Sequence, residues 1–155
     1  MKPAPSPGAP LGMEIDLART DVDAVRESFL MVSADLERAG ELFYDKLFEI
    51  DPNLENLFVN DMRAQASKLM NTLSIVVSQL QTWPDLAPLV EDLALRHVAY
   101  GVKAEHYDSV GQALIEMMDD VLGEAFTEDM RTAWTRSYTS IAGHMIQYAY
   151  REGEI

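Results

Sequence analysis

From residue 17 onward, apolar side chains recur every three to four positions almost without a break, and no stretch alternates apolar with polar residues as a half-buried strand would. The interruptions carry helix punctuation instead of hairpin turns, so the chain is expected to be all-α. The firmest break is Asp51-Pro52, because a residue before proline avoids the helical region of backbone space. A first helix is expected from Thr20 or Asp21, burying Val22, Val25, Phe29 and Val32. Ser33 reads as the cap of a second helix that runs to about Ile50. Asn53 to Phe58 has room for one or two turns. Asn60 or Asp61 then opens a helix whose stripe is Met62, Gln65, Leu69, Leu73, Val76 and Leu80.

The segment Thr82-Trp83-Pro84-Asp85 precedes a helix that ends at Gly101, where a left-handed residue is usual. Another runs from about Glu105 to Leu122 and stops at Gly123, and Thr127 caps a last helix reaching about Tyr150. Six long helices plus one short one suit either a near-parallel bundle or steeper pairwise packing. Gly40 favours the second. In mid-helix it costs about 1 kcal/mol relative to alanine, so a close helix crossing is predicted there, with Ala66 as the small residue opposite.

Composition narrows the class. With 155 residues, 48% of them hydrophobic, the chain can bury one well-packed core, expected over residues 17–155. Residues 1–16, with Pro3, Pro5, Pro7 and Pro10, read as a disordered leader and resemble neither a secretory signal nor an anchor. A formal charge of -14 repels nucleic acid and anionic membrane surfaces, so neither is an expected partner. There is no cysteine, which removes disulfides, thiolate catalysis and cysteine-held clusters. No stretch is long and apolar enough to span a bilayer, and the expected location is the cytoplasm. A monomer or weak homodimer is expected.

His97, one of three histidines, continues the apolar stripe Leu86, Val90, Leu93. An imidazole facing a core must bond a neighbour or a metal, since burying it unpaired costs a few kcal/mol. Local pattern leaves both options open, a core histidine bonded to a backbone carbonyl being the commoner. His106 reads as a solvent-facing residue at a helix start and His144 as a partly buried polar group. No spacing near either suggests a second metal site. Met117, Met118 and Met130 read as packing.

The order of several unspecific motifs is more informative than any one of them. Phe43-Tyr44-x-x-Leu47-Phe48 is followed by Asp51-Pro52, Leu57-Phe58, Gln65-x-x-Lys68-Leu69, His97-x-x-Tyr100-Gly101-Val102 and His106-Tyr107. In that succession the chain resembles the globins, and among them single-domain bacterial haemoglobins related to the flavohaemoglobins, over roughly everything after the leader. The resemblance implies a globin fold, with six long helices, a short C-type helix and a haem pocket between a distal and a proximal helix. It implies haem b (iron protoporphyrin IX) as cofactor, with His97 as the proximal iron ligand through Nε2 and the Leu93 carbonyl holding the other ring nitrogen. Tyr44 and Gln65 match the distal pair and Phe58 the phenylalanine that lies flat on the haem. Leu69, Leu93, Val102 and Tyr107 match pocket-lining positions. Lys68 and Arg96 are candidates for the haem propionates, or equally are solvated helix charges.

By the same resemblance, the ligands are O2, NO and CO. A phenol O–H and an amide N–H in an apolar pocket favour dioxygen, which gains negative charge on binding, over nearly neutral carbon monoxide, and slow its release. The implied role is oxygen storage, transport or delivery, or nitric oxide dioxygenation with an external reductase. No catalytic side chain is required. The alternative is a gas or redox sensor that signals through a separate partner protein. A globin-like module without haem is disfavoured by the joint presence of Tyr44, Phe58, Gln65 and His97. Tyr107 matches a tyrosine that, in flavohaemoglobins, joins a glutamate on the last helix in bonding the proximal histidine. The glutamate position is Ala149 here, so peroxidase-like chemistry is not implied.

Overall fold

The structure, a computed structural model, describes residues 17–58 and 61–153, so the predicted leader at residues 1–16 and the candidate cap Asn60 lie outside the described residues. Helix α1 spans Arg19–Val32, α2 Leu36–Ile50, α3 Met62–Ser78, α4 Trp83–Ala99, α5 His106–Leu122 and α6 Glu128–Gly153. Short 3-10 turns occupy Ser33–Asp35, Pro52–Leu57 and Gly123–Ala125, and there is no strand among the described residues. This is the expected all-α plan of six long helices with a short one after Asp51.

The boundaries follow local chemistry. Asp61 accepts a hydrogen bond from the Arg63 N–H at 3.0 Å, and Thr127 Oγ1 accepts from the Met130 N–H at 3.2 Å, as helix caps do. Ser33 does not cap α2. Its hydroxyl donates back to the Leu30 carbonyl at 2.5 Å, and Asp35 takes the capping role by accepting from the Arg38 N–H at 3.1 Å. Helix α3 ends at Ser78 instead of continuing through Leu80. Trp83 and Pro84 lie inside the first turn of α4, where a proline costs no hydrogen bond. Gly123 stops α5 with φ at +54°.

Pairs α1 with α6, α2 with α5, α2 with α3 and α4 with α6 form the main helix contacts. The predicted close crossing of α2 and α3 is present: a Cβ built on Gly40 would stand 2.9 Å from the Ala66 Cβ and 3.1 Å from the Met70 side chain. Between α1 and α6, the buried Trp134 Nε1–H donates to Ser28 Oγ at 2.7 Å. His144 is fully buried, more so than its sequence position suggested, and its Nε2 lies 3.2 Å from Glu91 Oε2, tying α6 to α4. No helix among the described residues is long and apolar enough to cross a membrane.

One pair of helices stays apart. Helices α3 and α4 make no extended contact with each other. Leu69, Leu73 and Val76 on α3 and Leu89, Leu93 and Val98 on α4 are therefore only half-buried, although their spacing is that of a core face.

Candidate functional site

The gap between α3 and α4 opens into a cavity of about 180 Å3, lined among others by Leu69, Leu73, Leu93, His97, Val102 and Tyr107. Helix geometry places His97 one turn beyond Leu93, and its Nδ1 sits 2.6 Å from the Leu93 carbonyl oxygen. A carbonyl can only accept, so Nδ1 carries the proton and Nε2 keeps its lone pair. Burial pushes the imidazole below its ordinary pKa, and the Leu93 bond offsets this only in part. The ring is therefore a neutral donor at physiological pH.

The chain beyond His97 is fixed by a C-terminal cap. The Val102 N–H donates to the His97 carbonyl at 2.9 Å and the Gly101 N–H to the Val98 carbonyl at 3.0 Å, with Gly101 at φ +90°. The Tyr150 hydroxyl, from α6, donates to the Val102 carbonyl. Tyr107, at the start of α5, stacks on the His97 ring with centroids 6.0 Å apart and planes 25° from parallel. Its hydroxyl has no hydrogen-bond partner among the described residues, and Ala149 is buried without offering one.

The distal candidates form a separate group. Tyr44 is buried, and burial raises its phenol pKa more than the neighbouring Gln65 side chain lowers it. The two residues sit on α2 and α3, which the Gly40–Ala66 crossing holds together. Phe58 packs edge-on against Tyr44 at 5.2 Å and tilted against Phe48 at 5.6 Å. Tyr44, Phe58 and Gln65 do not line the cavity that contains His97. Lys68 is exposed, and Arg96 is exposed and paired with Asp92 at 2.8 Å. Lining residues that sequence reading did not assign to the pocket include Val110, Ser137 and Ile141. Their apolar neighbours on α5 and α6 were visible as stripes, but a stripe does not say which of its members faces a cavity.

A flat apolar group with a central metal fits these residues. The crevice presents apolar side chains from two helices that do not touch, and one neutral imidazole offers a free nitrogen to it. No cluster of three or more His, Cys, Asp or Glu residues that could hold a bare metal ion occurs among the described residues.

The globin family model matches residues 41–145. The flavohemoprotein of Bacillus subtilis is 33% identical over 118 residues, which cover 72% of this chain but only 30% of that protein's length. The neuroglobin of the fish Dissostichus mawsoni is 27% identical over 152 residues, covering 89% of this chain and 96% of the neuroglobin. Among solved structures, an engineered carbene transferase from Rhodothermus marinus, described as a candidate nitric oxide dioxygenase, superposes with a TM-score of 0.81 at 24% identity, covering 90% of this chain and 97% of that one. The order of helices, the apolar crevice beside His97 and the family match agree, and the chain belongs to the globin family.

Proposed function

We propose that the crevice between α3 and α4 holds haem b with His97 Nε2 on the iron, and that the protein binds dioxygen reversibly on the side of Tyr44 and Gln65. Nitric oxide and carbon monoxide are further ligands in this reading. The observation that carries it is the His97 ring, tied at Nδ1 to the Leu93 carbonyl 2.6 Å away and left free at Nε2 beside an apolar cavity. When bound, the haem would supply an iron able to take a diatomic gas.

This chain's own residues do the rest. The Leu93 carbonyl fixes the tautomer and the plane of the ring, and burial keeps the imidazole neutral. Leu69, Leu73 and Leu93 exclude water from the two faces of the crevice. Tyr44 remains an O–H donor because burial holds its pKa above the ordinary phenol range, and the crossing of α2 and α3 keeps Gln65 near it. Each such donor contributes about 1–3 kcal/mol when a partly charged ligand atom accepts from it, or roughly five- to more than a hundredfold in release rate. Lys68 is free to meet a propionate, whereas Arg96 would first have to leave Asp92.

Two roles suit such a pocket without a proton-transferring side chain: oxygen storage or delivery, and nitric oxide dioxygenation served by an external reductase. The Rhodothermus marinus neighbour, described as a candidate nitric oxide dioxygenase, is the likeness that suggests the second role. The distal assignment is tested by stopped-flow oxygen release. Tyr44→Phe and Gln65→Leu should each speed release about tenfold or more. Unchanged rates in both variants would refute the assignment.

A further inference from the structure

The three histidines use their ring nitrogens differently, and the difference fixes how each answers acid. Nδ1 of His97 faces the Leu93 carbonyl and Nε2 of His144 faces the Glu91 carboxylate, so both rings donate. His106 accepts. The Lys103 backbone N–H, which can only donate, meets its Nδ1 at 2.9 Å, and in return the His106 N–H donates to the Lys103 carbonyl at 3.0 Å. The pair is a two-way clasp at the entrance to α5, built like the backward half of a capping box, where glutamate or glutamine usually supplies the acceptor. An imidazole in that place can be switched off. A proton on Nδ1 removes the accepting lone pair and sets two N–H groups against each other, and the new positive charge sits at the end of α5 whose dipole repels it.

The clasp lies between two attachments to His97. Val102, just before Lys103, gives its N–H to the His97 carbonyl, and Tyr107, just after His106, stacks on the His97 ring. We propose that His106 is a proton-operated clasp on the turn joining α4 and α5, closed while its ring is neutral and open once protonated, which passes the uptake of a proton to His97 through Val102 and Tyr107. It stands on the bonds of the turn and holds whether or not haem occupies the crevice. The charged groups on the same segment are Lys103, Glu105 and Asp108. The end of α4 brings Arg96, paired with Asp92, together with His97 and Tyr100. From α6 the Tyr138 and Tyr150 hydroxyls reach the Tyr107 and Val102 carbonyls, and the Pro52–Leu57 turn, which meets Gly101 through Leu57, carries Glu55. Carboxylates, amines, guanidinium groups and phenols ordinarily keep their charge between about pH 5 and 8, where an imidazole changes its own. His97 is the other imidazole within reach, and burial pushes its titration to lower pH.

Amide hydrogen exchange and imidazole nitrogen shifts, read by NMR between about pH 8 and about pH 5.5, test this on the full-length protein as purified, with any haem held in its diamagnetic ferrous carbon monoxide form. Protection of the Lys103 amide, taken relative to the free-chain rate at each pH, should fall about two- to tenfold in the wild type as His106 takes up its proton. The Tyr107 and His97 ring signals should shift with the same midpoint. His106→Gln, which keeps an acceptor that does not titrate, should hold the protection at both ends of the range and abolish the shared midpoint, whereas His106→Ala should lose the protection throughout. A His106 ring that stays neutral down to about pH 5.5 would overturn the proposal, as would a Lys103 amide or His97 and Tyr107 signals indifferent to its protonation. The same pH response in His106→Gln would overturn it too, by placing the titrating group elsewhere. If a variant fails to fold, the wild-type titration alone decides. A colourless protein that shows the clasp opening sinks the haem reading and leaves this one; a haem-loaded protein whose Lys103 amide ignores His106 does the reverse.

Discussion

Helix α3 has two apolar faces that the molecule treats in opposite ways. Toward α2 it is packed as tightly as side chains allow, with Ala66 and Met70 at 3% and 1% exposure against Gly40. Toward α4 its Leu69, Leu73 and Val76 remain half-buried around open space. Both faces have the same kind of residues at the same helical spacing. The difference teaches that an apolar stripe specifies burial but not the partner; on the reading proposed above, the second face is the one that haem would complete. The tight face serves the open one: Ala66 adjoins Gln65, so the crossing that fixes α3 also sets the amide beside Tyr44.

This comparison can be broken at each face. Met70→Ala, on the packed face, should destabilise the protein by about 2–5 kcal/mol with or without haem, because a fully buried side chain leaves a cavity behind. Urea unfolding of the apoprotein and the haem-loaded form checks this. Gly40→Val should cost about 1–3 kcal/mol in the same assay, since the added Cβ meets Ala66 and cannot be accommodated without moving a helix. Leu73→Ala, on the open face, should cost only about 1 kcal/mol in the apoprotein, where the side chain is partly solvated, while measurably speeding haem loss to an acceptor globin. Equal costs for Met70→Ala and Leu73→Ala in the apoprotein would mean that the crevice is ordinary core.

Much of the fold was legible because its signals are local. Asp51-Pro52, Gly101 and Gly123 mark helix ends through backbone restrictions that hold in any context, and Thr127 marks one through its capping hydroxyl. Gly40 in mid-helix predicted a close crossing, since its helical cost needs a compensating contact, and Ala66 is that contact. Ser33 misled as a cap because a serine hydroxyl can equally bond backward to a carbonyl in the preceding turn, which it does with Leu30. The His97–Leu93 bond was legible for the same local reason, the two residues being one helical turn apart. The nearness of Gln65 to Tyr44 depends on two helices and could only be suggested by resemblance. Ser137 carries no sequence signal at all: a serine on a long polar helix becomes notable only when the fold buries its hydroxyl against a cavity.

The central claim, that the open face is completed by haem held on His97, is tested most directly by the absorption spectrum of His97→Gly after hemin addition, with and without imidazole. The account predicts a one-to-one Soret band in the wild type, a weakened and shifted band in the variant, and recovery of the wild-type band when imidazole fills the space left by the side chain. A variant that binds hemin with an unchanged spectrum, or a wild type that takes up no hemin, would contradict it.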